Sequence, residues 1–167
     1  MEGRQTALPV GRRSFRLVLA LSGCGFAPAL GSGGAAQGLM GRVRAGDPRS
    51  QADYDFVARI EERLGRPAGA AYELAYVIDM KTDGVGITAE GAITRYNLSG
   101  SLKWTLTRAP DGQFAAEGTV ANFTAWSATG STVAGLTARE DAARRLMRML
   151  ADQVVTALLA RAGGFPA

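Results

Sequence analysis

The sequence contains no histidine, and its 167 residues include a single cysteine, Cys24. Without histidine, the chain lacks the usual general base at neutral pH and the commonest protein metal ligand. One cysteine also excludes an internal disulfide framework. We therefore expect no catalytic, cofactor-binding or metal-binding residues, and we do not expect an enzyme.

Positive charge is concentrated ahead of Cys24. Of the 19 basic and 15 acidic side chains, four basic and one acidic precede this cysteine, which leaves 15 basic against 14 acidic ones in the remainder. Nucleic-acid binding needs a clustered basic face. Because the remainder is nearly neutral, we predict no nucleic-acid partner.

Residues 1–23 have the order of a secretory signal, with arginines first, an apolar run at 17–21 and then small residues. The apolar run is far shorter than the roughly 20 residues of a transmembrane helix. The letters LSGC at 21–24 resemble the bacterial lipobox, which implies cleavage before Cys24 and lipidation of its thiol. Two or more acyl chains hold a soluble domain stably at a membrane. By analogy with other lipoproteins, Gly25 after the cysteine implies the outer membrane.

Two alternatives remain open for this leader. A free thiol beside an ordinary signal peptide is the alternative to a lipid anchor at Cys24. The letters RRSF at 12–15 resemble a twin-arginine signal, so the export route and the true start codon stay undecided. Beyond the cysteine, residues 24–38 are rich in Gly, Ala and Ser and carry almost no charge. This composition predicts a flexible tether.

Ordered structure is predicted to begin at residue 39. Alternation over 39–45 indicates a short strand. Ser50 and Asp53 then resemble a capping box that opens a helix, and Gly65 ends it. The apolar side chains of this helix recur at helical spacing and form one stripe: Phe56, Val57, Ile60 and Leu64.

The middle of the chain changes to a period of two. Alternation over 72–80, 92–106 and 114–126 predicts three long strands, each with one apolar and one polar face. The letters KTDG at 81–84 indicate a turn, and APDGQ at 109–113 indicates a hairpin turn.

A second helix is predicted to cover the apolar face of these strands. Thr137 and Glu140 form a capping box, and the helix ends near 163–164. The resulting order β-α-β-β-β-α predicts an α+β fold, a two-layer sandwich with two helices on one face of a long-stranded, mainly antiparallel sheet. This domain covers residues 39–161, and residues 162–167 form a C-terminal tail.

Several segments together resemble the lipopolysaccharide-assembly lipoprotein family LptE, also called RlpB, in an alphaproteobacterial form. The most specific are TRYNL at 94–98 and EDAARRLMRMLADQ at 140–153, in that order after the lipobox. The resemblance covers roughly residues 17–161. It implies a non-enzymatic protein on the periplasmic side of the outer membrane. Such a protein plugs the β-barrel LptD, assists its assembly and helps to deliver lipopolysaccharide to the outer leaflet.

Three cations are candidates for contacts with lipopolysaccharide phosphates: Arg95, Lys103 and Arg108 lie on or beside the polar side of the strands. The alternative is that they are ordinary solvated strand residues. A different function is also open, that of an auxiliary lipid-binding lipoprotein of another envelope transport system. That function would require a wide apolar cleft between helix and sheet.

Overall fold

The computed structural model describes residues 35–128 and 131–165, which form two long helices and a four-stranded sheet. A 3-10 helix at Ala35–Gly38 precedes the first strand, and a second at Ala162–Gly164 follows the last helix. The strands are β1 (Val43–Ala45), β2 (Tyr72–Ile87), β3 (Ile93–Arg108) and β4 (Phe114–Ser127), and the helices are α1 (Gln51–Leu64) and α2 (Thr132–Arg161). This arrangement confirms the predicted α+β fold class.

The sheet has the order β1-β2-β3-β4 and is antiparallel except for its first pair. β1 runs parallel to β2, with Val43 opposite Tyr72. It is shorter than the predicted 39–45 because Gly41, with φ +64°, breaks the extended conformation just before it. At about 3.3 Å per residue, the 16-residue strands make the sheet roughly 50 Å long.

The turn predicted at 81–84 is wrong, because β2 continues through it to Ile87. The chain instead reverses between Thr88 and Ala92, where the Thr88 N–H donates to the Ala92 carbonyl at 2.9 Å. Register shifts lie at Gly84 and Gly86, and a Cβ on Gly84 would come within 2.8 Å of a side-chain carbon of Ile93. These glycines therefore serve a bulge with a close side-chain approach rather than a turn.

The start predicted for the second helix is also wrong. α2 begins at Thr132, because the Ser131 hydroxyl caps it by accepting from the Ala134 N–H at 3.3 Å. Thr137 lies one turn inside the helix, where its hydroxyl donates to the Val133 carbonyl at 3.1 Å. The sequence pattern at 137–140 is thus an internal hydrogen bond and not a cap.

The cap predicted for the first helix is confirmed. The Ser50 hydroxyl accepts from the Asp53 N–H at 3.1 Å, and the Asp53 carboxylate accepts from the Arg49 N–H at 3.0 Å. Gly65 follows the last residue with φ +82°, a conformation that favours glycine.

Both helices pack on the same face of the sheet, where the even-numbered side chains of β3 point. A Cβ on Gly100 would lie 2.9 Å from Leu146, so this glycine allows α2 to approach the sheet closely. The Phe56 ring of α1 contacts the Tyr76 ring of β2 with centroids 4.7 Å apart. The layer between α2 and the sheet is made of fully or almost fully buried side chains: Leu98, Leu102, Trp104, Leu106, Leu146, Met147, Leu150, Val154 and Leu158.

The two helices are joined by one carboxylate on α2. Asp152 accepts from Arg59 through two nitrogens, each at 3.0 Å, and from Arg63 at 3.1 Å. The hydrogen bond to Asp152, and then that to Glu62, raises the pKa of Arg59. Within residues 35–128 and 131–165, neither helix is both long enough and apolar enough to cross a membrane.

Candidate interaction surface

The face of the sheet that points away from the helices is polar and consists mainly of small side chains. The predicted alternation in β3 is confirmed, since residues at even positions from 98 to 106 are buried and those at odd positions are not. The odd-numbered side chains of β3 and β4 on this face are Arg95, Asn97, Ser99, Ser101, Lys103, Thr105, Thr107, Glu117, Thr119, Ala121, Phe123 and Ala125. The odd-numbered side chains of β2 complete it: Glu73, Ala75, Val77, Asp79, Lys81 and Asp83. A largely polar surface about 50 Å long, with Val77 and Phe123 as exposed apolar side chains, is thereby left uncovered by either helix.

Charges on this outer face balance rather than form a basic stripe. Lys81 and Asp83 make a 2.9 Å ion pair along β2. The face carries four cations and four carboxylates. The cations are Arg44, Lys81, Arg95 and Lys103, and the carboxylates are Glu73, Asp79, Asp83 and Glu117. In the part of the chain that the structure describes, this surface lacks the clustered positive charge that nucleic acids require.

The structure does not bring the three candidate phosphate-binding cations together. Arg95 and Lys103 both lie on the outer face, but eight residues of one strand separate them by about 27 Å. Arg108 lies at the end of β3 on the other parity, where its Nε donates to Asp111 at 3.1 Å. That hydrogen bond, with a second from the Gln113 N–H, lowers the pKa of Asp111 to about 2. Any phosphate would meet these cations one at a time.

The layer between α2 and the sheet is filled, so it offers no wide apolar cleft among the described residues. A groove of about 590 Å³ opens elsewhere, between the start of α1 and the N-terminal half of α2. Its apolar lining comes from Met80, Leu136 and Ala143, and charged side chains such as Arg139 and Arg144 lie among them. This mixed lining differs from that of a lipid-tail pocket.

One end of the domain holds the start of the described chain, and the opposite end exposes apolar side chains. The 3-10 helix Ala35–Gly38 contacts Ala162–Gly164 at the end where the β3–β4 turn also lies. Cys24 itself, with the rest of the predicted leader and most of the tether, lies outside the described residues. At the opposite end, the hairpin of β2 and β3 exposes apolar side chains, Val85, Ile87 and Ile93.

β4 forms one edge of the sheet, and every second residue turns its backbone N–H and C=O away from β3. The bond that flanks the β3–β4 ladder at its far end fixes this alternation, since Ala128 N–H donates to Thr94 O at 2.9 Å, and the register is unbroken from there to Leu106. Even-numbered residues of β3 therefore bond to even-numbered residues of β4 through the observed register. The odd-numbered residues of β4 direct their backbone groups outward.

Two arginines of α2 occupy the ends of this free edge. Arg145 Nη2 donates to the Ala125 carbonyl at 3.5 Å, and Arg161 Nη1 donates to the Glu117 carbonyl. Residues 119–123 lie between these points. The sequence analysis missed this edge because alternation predicts a strand but not its place in the sheet order.

Comparisons with known proteins give one family match for the sequence and several structural matches for the fold. A family model described as LptE, Lipopolysaccharide-assembly, matches residues 42–158, well over half of the chain. No curated protein matches the sequence.

Among solved structures, the fold is similar to that of a lipoprotein from Caulobacter crescentus CB15, with a TM-score of 0.66 and 18% identity over 77% of this chain and 96% of that one. It is similar to rare lipoprotein B from Shewanella oneidensis, with a TM-score of 0.55 and 11% identity over 71% and 92% of the two chains. A minor lipoprotein from Acinetobacter baumannii gives a TM-score of 0.51 and 12% identity over 75% and 92%. At these identities, the likenesses establish the fold alone.

Proposed function

The chain belongs to the lipopolysaccharide-assembly family LptE, and on that premise we propose that it is an outer-membrane lipoprotein that binds and plugs an LptD-like β-barrel. In this role it assists assembly of the barrel and delivery of lipopolysaccharide to the outer leaflet. The observation that carries the proposal is the family match, which runs from β1 to the last turns of α2 and so includes both layers of the domain. The family acts in lipopolysaccharide assembly and is not an enzymatic one.

The proposed anchor is a lipidated Cys24, which holds the domain at the periplasmic face of the outer membrane. Eleven residues lead from Cys24 to Ala35, so the reach of this segment is at most about 40 Å. The tether joins the domain at the end where Ala35–Gly38 contacts Ala162–Gly164. Confinement to the membrane of the barrel raises the effective concentration of the two partners without any new contact.

The shape and polarity of the domain support a place inside a large barrel. Four strands at about 4.8 Å spacing make a sheet roughly 20 Å wide, and large barrels enclose an aqueous lumen lined by polar side chains. The outer face is largely polar and rich in Ser and Thr, which suits an aqueous lumen. The filled layer under α2 supports this role over the alternative of an auxiliary lipid-binding lipoprotein, which would need a cleft there.

Lipopolysaccharide contacts are proposed at Arg95, Lys103 and Arg108, whose guanidinium and ammonium groups can form charge-assisted hydrogen bonds with phosphate. Arg95 and Lys103 are accessible on the outer face. At Arg108, a phosphate would have to replace the carboxylate of Asp111.

The decisive experiment is to solubilise outer membranes in mild detergent and purify a C-terminally tagged copy of the chain. A stoichiometric barrel of LptD size in the purified complex is the expected result. Recovery of inner-membrane transporter subunits or bound phospholipid without a barrel would refute the plug and favour the auxiliary lipoprotein.

The anchor is tested separately with Cys24→Ser, which we expect to leave the protein unacylated and absent from the membrane fraction. Ser22→Ala is the matched control, because it keeps a small residue before the cysteine and should leave membrane attachment unchanged. Retention of Cys24→Ser in the membrane fraction would overturn the lipid anchor.

A further inference from the structure

The free edge of β4 leaves a short stretch of backbone groups with no partner among the described residues. At Thr119 and Ala121, the outward N–H and C=O groups make no hydrogen bond within residues 35–128 and 131–165. At Phe123 the N–H donates to Asn122 Oδ1 at 2.8 Å, while the carbonyl points outward. From these groups we infer that residues 119–123 accept an extended segment of the barrel partner as a fifth strand, an inference that rests on the proposed function.

The stretch lacks the devices by which sheet edges usually prevent pairing. Natural edges carry charged side chains, proline or bulges, or are covered by another element. The five residues TVANF at 119–123 include neither charge nor proline, and the register shift of this ladder lies away from them, at Leu106/Thr107. The outward Phe123 side chain is 65% exposed and offers an apolar contact to an added strand.

The opposite edge of the sheet is protected. β1 covers the first residues of β2, and beyond it the chain carries the charges of Asp79, Lys81 and Asp83 at alternate positions. Gly46 further shields this edge, since its N–H donates to the Leu74 carbonyl of β2 at 3.0 Å. Of the two edges, β4 is therefore the one suited to strand addition.

Charge at one end of the stretch identifies the kind of strand that fits. Arg161 and Arg145 lie beside the carbonyls of Glu117 and Ala125, eight residues apart, and Arg145 Nε also pairs with Asp141 at 3.1 Å. A second copy of this chain would pair antiparallel about Ala121 and bring Arg161 of one copy beside the Arg145–Asp141 pair of the other, whose charges cancel. A partner segment of about five extended residues with an acidic side chain beside Arg161 would instead meet that cation favourably.

Strand addition of this kind uses main-chain hydrogen bonds for affinity and side chains for specificity. The partner strand would gain bonds from Thr119, Ala121 and the Phe123 carbonyl, and the domain would keep its outer polar face free for the lumen. Residues 119–123 are thus a docking point for the barrel within the proposed plug.

The test replaces Ala121 with proline or with valine in the full lipidated chain and measures binding to the purified barrel. Ala121→Pro removes one outward N–H and no bond of the β3–β4 ladder, because odd-numbered residues face away from β3. Ala121→Val keeps the N–H and is the matched control. We expect the proline variant to bind the barrel about tenfold more weakly or worse, and the valine variant to bind as the parent does.

The failure of this inference differs from the failure of the proposed function. If the parent and Ala121→Pro bind the barrel equally, strand addition at β4 is wrong but the proposed plug still stands. If the parent binds no barrel, both the strand addition and the proposed plug are wrong. If the free protein is a dimer that Ala121→Pro converts to a monomer, the edge belongs to a second copy and the inference is wrong.

A second measurement applies even where the proline variant does not fold. Amide hydrogen exchange at Thr119 and Ala121 in the unmutated protein should be fast when it is free and at least tenfold slower in the barrel complex. Unchanged exchange at both amides on complex formation would contradict strand addition.

Discussion

The close contact between Gly100 and Leu146 makes the helix–sheet layer sensitive to a single methyl group. An alanine Cβ at position 100 would lie 2.9 Å from Leu146 Cδ2 and 3.4 Å from Leu150 Cδ1. Leu146 and Leu150 are both fully buried, so neither side chain can move without displacing other core atoms. We therefore expect Gly100→Ala to destabilise the domain, because the added methyl group has no room between the sheet and α2.

The expected size follows from two opposing effects. Overpacking a filled core costs about 1–3 kcal/mol, and replacing glycine by alanine stabilises by about 0.4–1 kcal/mol through the unfolded chain. Gly100→Ala should then lower the free energy of unfolding by up to about 2.6 kcal/mol, with about 1.3 kcal/mol at the middle of the range. Leu146→Ala alone should lower it by about 2–5 kcal/mol, because it leaves a cavity.

The double variant gives a more specific prediction, namely that the two losses of unfolding free energy are not additive. In Gly100→Ala/Leu146→Ala the new methyl group enters the space that the leucine leaves, so its loss should be about 1–3 kcal/mol smaller than the sum of the single losses. Urea unfolding followed by tryptophan fluorescence and far-ultraviolet circular dichroism measures all three variants. Additivity within about 0.5 kcal/mol would refute this packing.

Gly69→Ala is the matched control for these variants. A Cβ at this position meets no atom within 4 Å, and its φ lies outside the left-handed region. We expect Gly69→Ala to leave the free energy of unfolding unchanged or raise it by up to about 1 kcal/mol. It should also show no coupling to Leu146→Ala.

The architecture is predictable from the sequence because both helices and all three long strands have strong hydrophobic periodicity. In β3, alternation separates the buried Leu102 and Trp104 from the exposed Lys103. In a strand, whether a residue number is odd or even decides which face of the sheet its side chain occupies. A long alternating strand therefore predicts the buried and exposed faces with little ambiguity. The Pro/Asp/Gly turn at 109–113 is likewise found where predicted, and Gly112 has φ +67°.

Local signals fail where a longer-range contact competes with them. The letters KTDG favour a turn in isolation, but continuing β2 through them adds pairs with β3, Lys81 opposite Ser99 and Asp83 opposite Asn97. The start of α2 fails for a local reason, since both Ser131 and Thr137 have capping chemistry and the earlier residue extends the helix. For β2, a sequence pattern cannot predict the outcome because the deciding contacts are tertiary.

The candidate surface is predictable in part. Parity places Arg95 and Lys103 on the outer face, as the structure confirms, but their separation along one strand follows only from the extended register. The edge position of β4 is harder still, because it depends on which strand has no further neighbour. The link between Asp152 and Arg59, 93 residues apart, is equally hidden in a single sequence.

Three further perturbations test the core, the helix–helix link and one half-buried ring. Leu150→Asp places an unpaired charge at a fully buried position and should unfold the domain, whereas Leu136→Asp, at a position 54% exposed on the same helix, should leave the melting temperature nearly unchanged; an equally mild effect at both positions would refute the packing. Asp152→Asn should lower the free energy of unfolding by about 1 kcal/mol at low salt and by less in 1 M NaCl, since it weakens the ion pair with Arg59; a loss independent of salt would contradict the pair. Tyr76 should ionise well above the ordinary pKa of a tyrosine, because burial, and then the charge of Asp53, raises its pKa to about 12. The stability that depends on its protonated hydroxyl is fully present below about pH 10 and is lost as the pH rises towards 12. Absorbance titration near 295 nm should therefore show a late phase that Tyr76→Phe abolishes, and a late phase that persists in this variant would assign the shifted pKa to another ring.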